Sequence, residues 1–162
     1  MFDQSQLLHI SLTRSKLILQ FFAPTTALNL GWEILQLPLY TLWGESTFSA
    51  IGFAVVHCTV GDVLIASLSL TVALILVGSR NWPRVGYLTV AIVAGTLGIA
   101  YTVFSEWNNT VVTRAWSYSS LMPTVWGIGL SPLAQWFIVP GFVFWCFKPN
   151  STCTPVRPER NA

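Results

Sequence analysis

The chain has 162 residues, enough for one compact domain, of which 53% are hydrophobic and 9% charged; a typical soluble domain carries roughly 25% charged residues. So few charges cannot cover the surface of a water-soluble protein of this size, and a net charge of +2 is too small to argue for a nucleic-acid partner. The three cysteines, Cys58, Cys146 and Cys153, form no C-x-x-C pair, which argues against a disulfide scaffold, a zinc ribbon or a thiol–disulfide membrane enzyme.

Residues 1–16 read as a polar N-terminal segment at a membrane surface. The apolar run after Arg14 and Lys16 lacks a small-x-small cleavage site, so it reads as an uncleaved first span over 17–42. Pro24, Asn29, Glu33, Gln36 and Pro38 interrupt it, and Trp43, Gly44 and Glu45 look like a turn. Residues 50–78 are apolar but too long for one upright helix, since a span needs ~20 residues. Either this stretch tilts, or a short surface piece near 48–57 leads into a span over 58–78. Ser79 to Arg84 is a charged turn, and 85–106 is the cleanest span, uncharged before Glu106. A polar, aromatic connection follows over 107–128. Ser131-Pro132 reads as an N-cap followed by proline at the first helical position, opening a last span over 131–147. Residues 148–162 form a Pro- and Arg-containing tail that reads as disordered. The expected fold class is therefore all-α: a polytopic membrane protein, a four-transmembrane-helix bundle over 17–147 with a long outer connection between helices three and four.

The basic residues orient it. With four spans, seven of them (Arg14, Lys16, Arg80, Arg84, Lys148, Arg157 and Arg160) share a side, and Arg114 stands alone on the other. Cytoplasmic loops are enriched in Lys and Arg, so both termini are expected in the cytoplasm. An odd number of spans would spoil this segregation.

That topology gathers Glu33, Asp62, His57, Glu106 and Gln135 toward the outer half, with Glu45 in an outer turn. Thr25, Asn29, Glu33, Gln36 and Tyr40 fall within about 80° of one another on a helix. Such a polar stripe must face the bundle or a water-filled cavity. Cys58, Asp62, Ala66, Ser69 and Ala73 make a small-residue face on span two; Ala94, Gly98 and Thr102 make one on span three. Small faces let helices approach closely. An ionised acid near the bilayer core costs ~2.5 kcal/mol or more, so Glu33 needs a reason, either pairing with Arg114 or His57 or a function. Asn29 and Gln36 also suit simple interhelical hydrogen bonding. Of the eight tryptophans, Trp43, Trp107, Trp116, Trp126 and Trp136 lie near the outer interface, with Trp32 slightly deeper. A belt would occupy both interfaces, so the excess, with Tyr118, reads as a lid over a pocket.

No nucleotide loop, H-E-x-x-H or G-x-S-x-G motif occurs. Gly31-Trp32-Glu33, His57-Cys58 with Gly61-Asp62, Tyr101 to Trp107 (Y-T-V-F-S-E-W), and Gly129 to Leu133 with Gln135-Trp136 together resemble a family of small, uncharacterised bacterial multi-pass inner-membrane proteins. The resemblance spans most of residues 20–145. It implies a bacterial inner (cytoplasmic) membrane and carries no activity, substrate or cofactor.

Three functions compete. The first binds or transforms an apolar small molecule, with Glu33, Asp62, His57 and Glu106 as acid–base candidates, because a carboxylic acid in a dry site can donate a proton. Asn29, Gln36, Trp107, Asn109, Arg114, Trp116, Tyr118 and Gln135 are its ligand-binding candidates. The second uses His57, Glu33, Asp62 and Glu106 as metal ligands or as an ion or proton path. His57 and Asp62 point about 140° apart on a continuous helix, so shared ligation requires a break near Gly61. The third is an accessory subunit whose small faces and acids meet a second copy or a partner membrane subunit. The residues name no cofactor and leave catalysis undecided.

Overall fold

The structure, a computed structural model, describes residues 4–78, 82, 83 and 85–148, with side chains described from Gln20 onward. The side chains of Arg14 and Lys16, all of Arg80 and Arg84, and the tail from 149 to 162 lie outside the described residues.

The first helix, α1 (Gln4–Gln36), begins well before residue 17 and ends before residue 42. Pro38 has no backbone N–H, so the helical ladder cannot continue through it; the chain tightens into a 3-10 turn at Leu37–Leu39 and is extended at Tyr40. After a single turn, α2 (Leu42–Glu45), the Thr47 hydroxyl accepts from Ala50 N at 3.3 Å and caps α3 (Phe48–Val77). This helix is continuous, so residues 48–57 are not a separate surface helix, and no break at Gly61 turns His57 toward Asp62. It stops where Gly78 enters the left-handed region at φ +63°, its N–H bonded to Leu74 O, a conformation that glycine adopts without a Cβ penalty.

The next helix, α4 (Tyr87–Trp107), runs on through a π turn at Asn108–Val112, beyond the expected end at 106. Two short strands, β1 (Thr124–Val125) and β2 (Ile128–Gly129), pair antiparallel. They lead into α5 (Leu130–Cys146), whose N-cap is Gly129 rather than Ser131. The fold is thus all-α apart from one minimal hairpin. Among the described residues two helices, α3 and α4 with its π turn, are long and apolar enough to cross a membrane. The other two long helices differ: α5 is apolar but 17 residues long, and α1 carries Asn29, Glu33 and Gln36 within its apolar stretch.

The four long helices pack in a ring, with α1 against α3, α3 against α4, α4 against α5 and α5 against α1. One end is dry: Leu70, Ala73, Val90, Ala94 and Phe144 form a buried cluster with Phe21 and Tyr87 beside it. Phe144 meets Phe21 and Tyr87 edge-on at 5.7 and 5.8 Å. A single stripe on α4, Val90, Ala94, Gly98, Thr102 and Glu106, is buried at every fourth residue and carries the packed face from this dry end to the acid at the other. Midway along it, a Cβ on Gly98 would lie 2.3 Å from the Trp136 ring, whereas one on Gly95 meets nothing within 4 Å.

Overpacking of this kind typically costs ~1–3 kcal/mol. Gly98→Ala is expected to destabilise the protein by that amount. Gly95→Ala is expected to leave stability unchanged or raise it by up to ~1 kcal/mol through helix propensity. Thermal or detergent-induced unfolding of the two variants in micelles measures the contrast.

Candidate functional site

At the end opposite the dry cluster, α1 turns its polar stripe inward. Thr25, Asn29, Glu33 and Gln36 are all buried. Asn29 donates to Thr25 O at 2.9 Å, which leaves its Oδ1 to accept from Gln135 Nε2 on α5, also at 2.9 Å. The same amide donates to Asp62 Oδ2 on α3 at 2.8 Å and to Glu33 Oε1 at 3.3 Å. Gln36 Nε2 donates to that Glu33 oxygen at 2.8 Å, and Gln36 Oε1 accepts from the Ser131 hydroxyl at 2.8 Å. The Trp32 indole N–H donates to Ser131 Oγ at 3.2 Å. Ser131 therefore does not cap α5; its hydroxyl joins two helices, and the backbone of Gly129 opens the helix instead.

Glu106 closes the site from α4. Its Oε2 accepts a short hydrogen bond from the Tyr118 hydroxyl, and the same phenolic oxygen, Tyr118 Oη, accepts from Gly129 N at 2.9 Å. Tyr118 is positioned by the segment that follows α1. Thr41 N donates to Ser117 O at 3.0 Å, Ser119 N donates to Leu39 O at 2.9 Å, and the Ser119 hydroxyl donates to Pro38 O at 2.9 Å. The rings of Tyr40 and Tyr118 lie 5.6 Å apart. The aromatic connection is thus stitched down by backbone pairing rather than hanging as a loose flap.

Between these groups lies a cavity of about 840 Å³, within the range of small-molecule sites. Glu33, Asp62, Glu106 and His57 all line it, as do Gln36, Asn109, Trp116 and Gln135. Asn109 donates to Ser105 O at 2.8 Å. Asn29, Trp107, Arg114 and Tyr118 do not line the wall. Asn29 and Tyr118 hold wall residues through the bonds above; Trp107 is about half exposed beside Phe104, and Arg114 is exposed. His57 is exposed at the rim, its ring stacked on Phe53 at 5.6 Å.

Neither Arg114 nor His57 pairs with Glu33, whose partners are Gln36, Gln135 and the Asp62 carboxyl. Among the described residues no Lys or Arg lines the cavity. Among the described residues no group of three or more His, Cys, Asp or Glu side chains is arranged to hold a metal ion, so the geometry does not favour the four residues as a metal centre.

The wall also contains groups that the sequence reading left out of the site, notably Tyr40, Tyr101, Thr102 and Trp136. Thr102 sits one helical turn before Glu106 on the same buried stripe, and that spacing was the available signal. Leu64, Leu68, Val72 and Tyr101 line the cavity while exposed on the outside of the ring. The cavity therefore opens sideways onto an apolar surface.

Comparison with protein-family models, with curated proteins and with solved structures gives no match.

Two expectations follow from the bonds themselves. Gln135→Leu leaves Asn29 Oδ1 and the Asp62 carboxyl without their amide donor, and an unsatisfied buried polar group costs ~1–3 kcal/mol; a loss of at least that size is expected in thermal unfolding. Burial, and then the bond to the Glu106 carboxylate, hold the Tyr118 phenol protonated above the usual tyrosine value of 10.0. Because the folded value is raised, its contribution is fully present below pH 10 and is lost as pH rises through the folded value. Tyr118→Phe is expected to lower stability at neutral pH and to make the decline above pH 10 shallower.

Proposed function

We propose that the chain is a multi-pass protein of a bacterial inner membrane and that its cavity binds an apolar small molecule from the outer leaflet. In this reading α1, α3, α4 and α5 all cross the bilayer, both termini are cytoplasmic and the polar end of the ring faces outward. Several observations support the membrane placement. Only 17% and 22% of the most apolar stretches of α3 and α4 are buried, whereas the core helix of a soluble protein would be largely covered. Phe53, Leu64, Leu68, Ile75 and Leu76 on α3 all point out of the ring, where lipid would cover them. The stripe of α1 faces the interior, which removes its polar groups from lipid. At ~1.5 Å per residue the 17 residues of α5 nearly match the ~30 Å hydrocarbon core. Trp126, 99% exposed at the tip of the β1–β2 hairpin, suits an interfacial anchor.

The observation that carries the binding function is the composition of one cavity. Three carboxyls from three helices meet at its polar end, and its apolar side reaches the exposed face of α3. Small-molecule sites combine an apolar body with a few convergent polar groups in this way. The carboxyls supply the acid–base groups for any proton transfer at the bound molecule's polar end. An accessory-subunit role would explain the exposed apolar faces but not the cavity.

Purified protein extracted with organic solvent is expected to release a lipophilic molecule at close to one per chain. Glu33→Gln is expected to abolish that recovery while the protein still folds, as judged by its melting temperature. Equal recovery from Glu33→Gln would sink the assignment. A cysteine at Trp126→Cys is expected to react with an impermeant maleimide added from the periplasmic side, and one at Lys148→Cys only after lysis.

A further inference from the structure

We propose that the ligand is an amphiphilic amine, its ammonium held among Glu33, Asp62 and Glu106 and its apolar body lying toward the α3 face. The proposal rests on the binding function assigned to this same cavity and names the chemistry of what binds there.

Three carboxyls line the wall, and among the described residues no Lys or Arg does. The hydrogen bonds from Gln36, Gln135 and Tyr118 reach one oxygen of each carboxyl, and a carboxylate has about four acceptor positions. Even with the hydrogen bond that Glu33 and Asp62 share and the one from Trp116 to Glu106, the polar end keeps acceptor positions that these bonds do not fill. A compact metal dication is a poor complement, because no three ligating groups of the described residues are arranged around one point. A larger organic cation with several N–H donors can reach separate carboxyls.

Thr102 provides an independent observation. Helical hydroxyls in this protein bond back to the carbonyl four residues earlier: Thr25, Thr59, Ser67, Thr71 and Thr110 all do so. Thr102 is 5% exposed, lines the cavity and has no hydrogen-bond partner. A buried hydroxyl left unpaired costs free energy, and back-bonding was its local remedy. One turn from Glu106, its oxygen is placed to accept an N–H from the ligand. Tyr40, Tyr101, Trp116 and Trp136 add aromatic faces, which attract ammonium groups.

The test uses the full chain in detergent micelles and three probes with one tail: octadecylamine, octadecanol and octadecanoic acid. Native mass spectrometry reads occupancy per chain. The expected result is octadecylamine at one per chain, bound at least tenfold more tightly than octadecanol, with octadecanoic acid weakest. Thr102→Val is expected to weaken octadecylamine by roughly tenfold, the effect of losing one hydrogen bond to a charged group, and to leave octadecanol unchanged. It removes an unpaired hydroxyl, so its melting temperature is expected to hold. Octadecanol or octadecanoic acid binding as tightly as the amine overturns the amine and leaves the binding function standing. Wild-type affinity of Thr102→Val for octadecylamine also overturns the proposal. No probe at one per chain overturns both readings.

Discussion

The polar half of this protein depends on one side-chain amide. Gln135 Nε2 has two hydrogens and three acceptors within reach, at 2.9, 3.3 and 2.8 Å on Asn29, Glu33 and Asp62. It is where α5 is tied to both α1 and α3. The bonds around it have a consistent direction: Trp32 donates to Ser131, Ser131 to Gln36, and Gln36 to Glu33. Every donor in the chain runs toward a carboxyl. Dipoles alone stabilise the acids here, and dipoles aligned in series reinforce one another in a low-dielectric interior. Reversing one amide would leave two donors or two acceptors facing each other along the whole line.

The cavity follows from how the ring is packed below that network. At the dry end small and branched residues bring α3 and α4 together, Ala73 against Val90 and Ala94. At Gly98 the missing side chain admits the Trp136 ring, which draws α5 close to α4. Above that level α3 buries nothing between Thr59 and Ser69, and its side chains there face the cavity or the outside. The connection from Trp107 to Gly129 covers the top, but its backbone bonds to residues 39 and 41 make it a fixed cover. The side past Leu64, Leu68 and Val72 stays open and apolar.

Much of this was legible in the sequence where a helical period applied. The four-residue steps of Thr25, Asn29 and Glu33 on α1, and of Ala94, Gly98 and Thr102 on α4, each marked a buried face, because a face in register over three turns cannot avoid its neighbours. What depended on long-range pairing was not legible. Nothing local announces that residues 39–41 pair with 117–119, and their pairing turns a long connection into a cover. Ser131-Pro132 read as a cap because that chemistry is local; a hydroxyl partner 95 residues away overrode it. Apolar composition alone also left 48–57 open between a surface piece and a helix, since a straight helix and a bent one bury similar residues.

The convergence of Glu33, Asp62 and Glu106 constrains function more than any of them does singly. Taken alone, each has a bland account: an acid at a helix end, or one near solvated headgroups. Those accounts require water at the carboxyl. Glu33 is 8% exposed and Glu106 7%, and both line the same cavity as Asp62. Packing cannot explain the choice either, because apolar residues of similar volume fill a core at lower free energy than buried charged groups do. Three helices each contribute an acid to one apolar-walled space, and each acid is held there by hydrogen-bond partners that the fold supplies. On that wall the buried Thr102 hydroxyl, one turn from Glu106, has no hydrogen-bond partner. In the proposed reading, the N–H donors of a bound molecule reach the Thr102 hydroxyl and the carboxyls together.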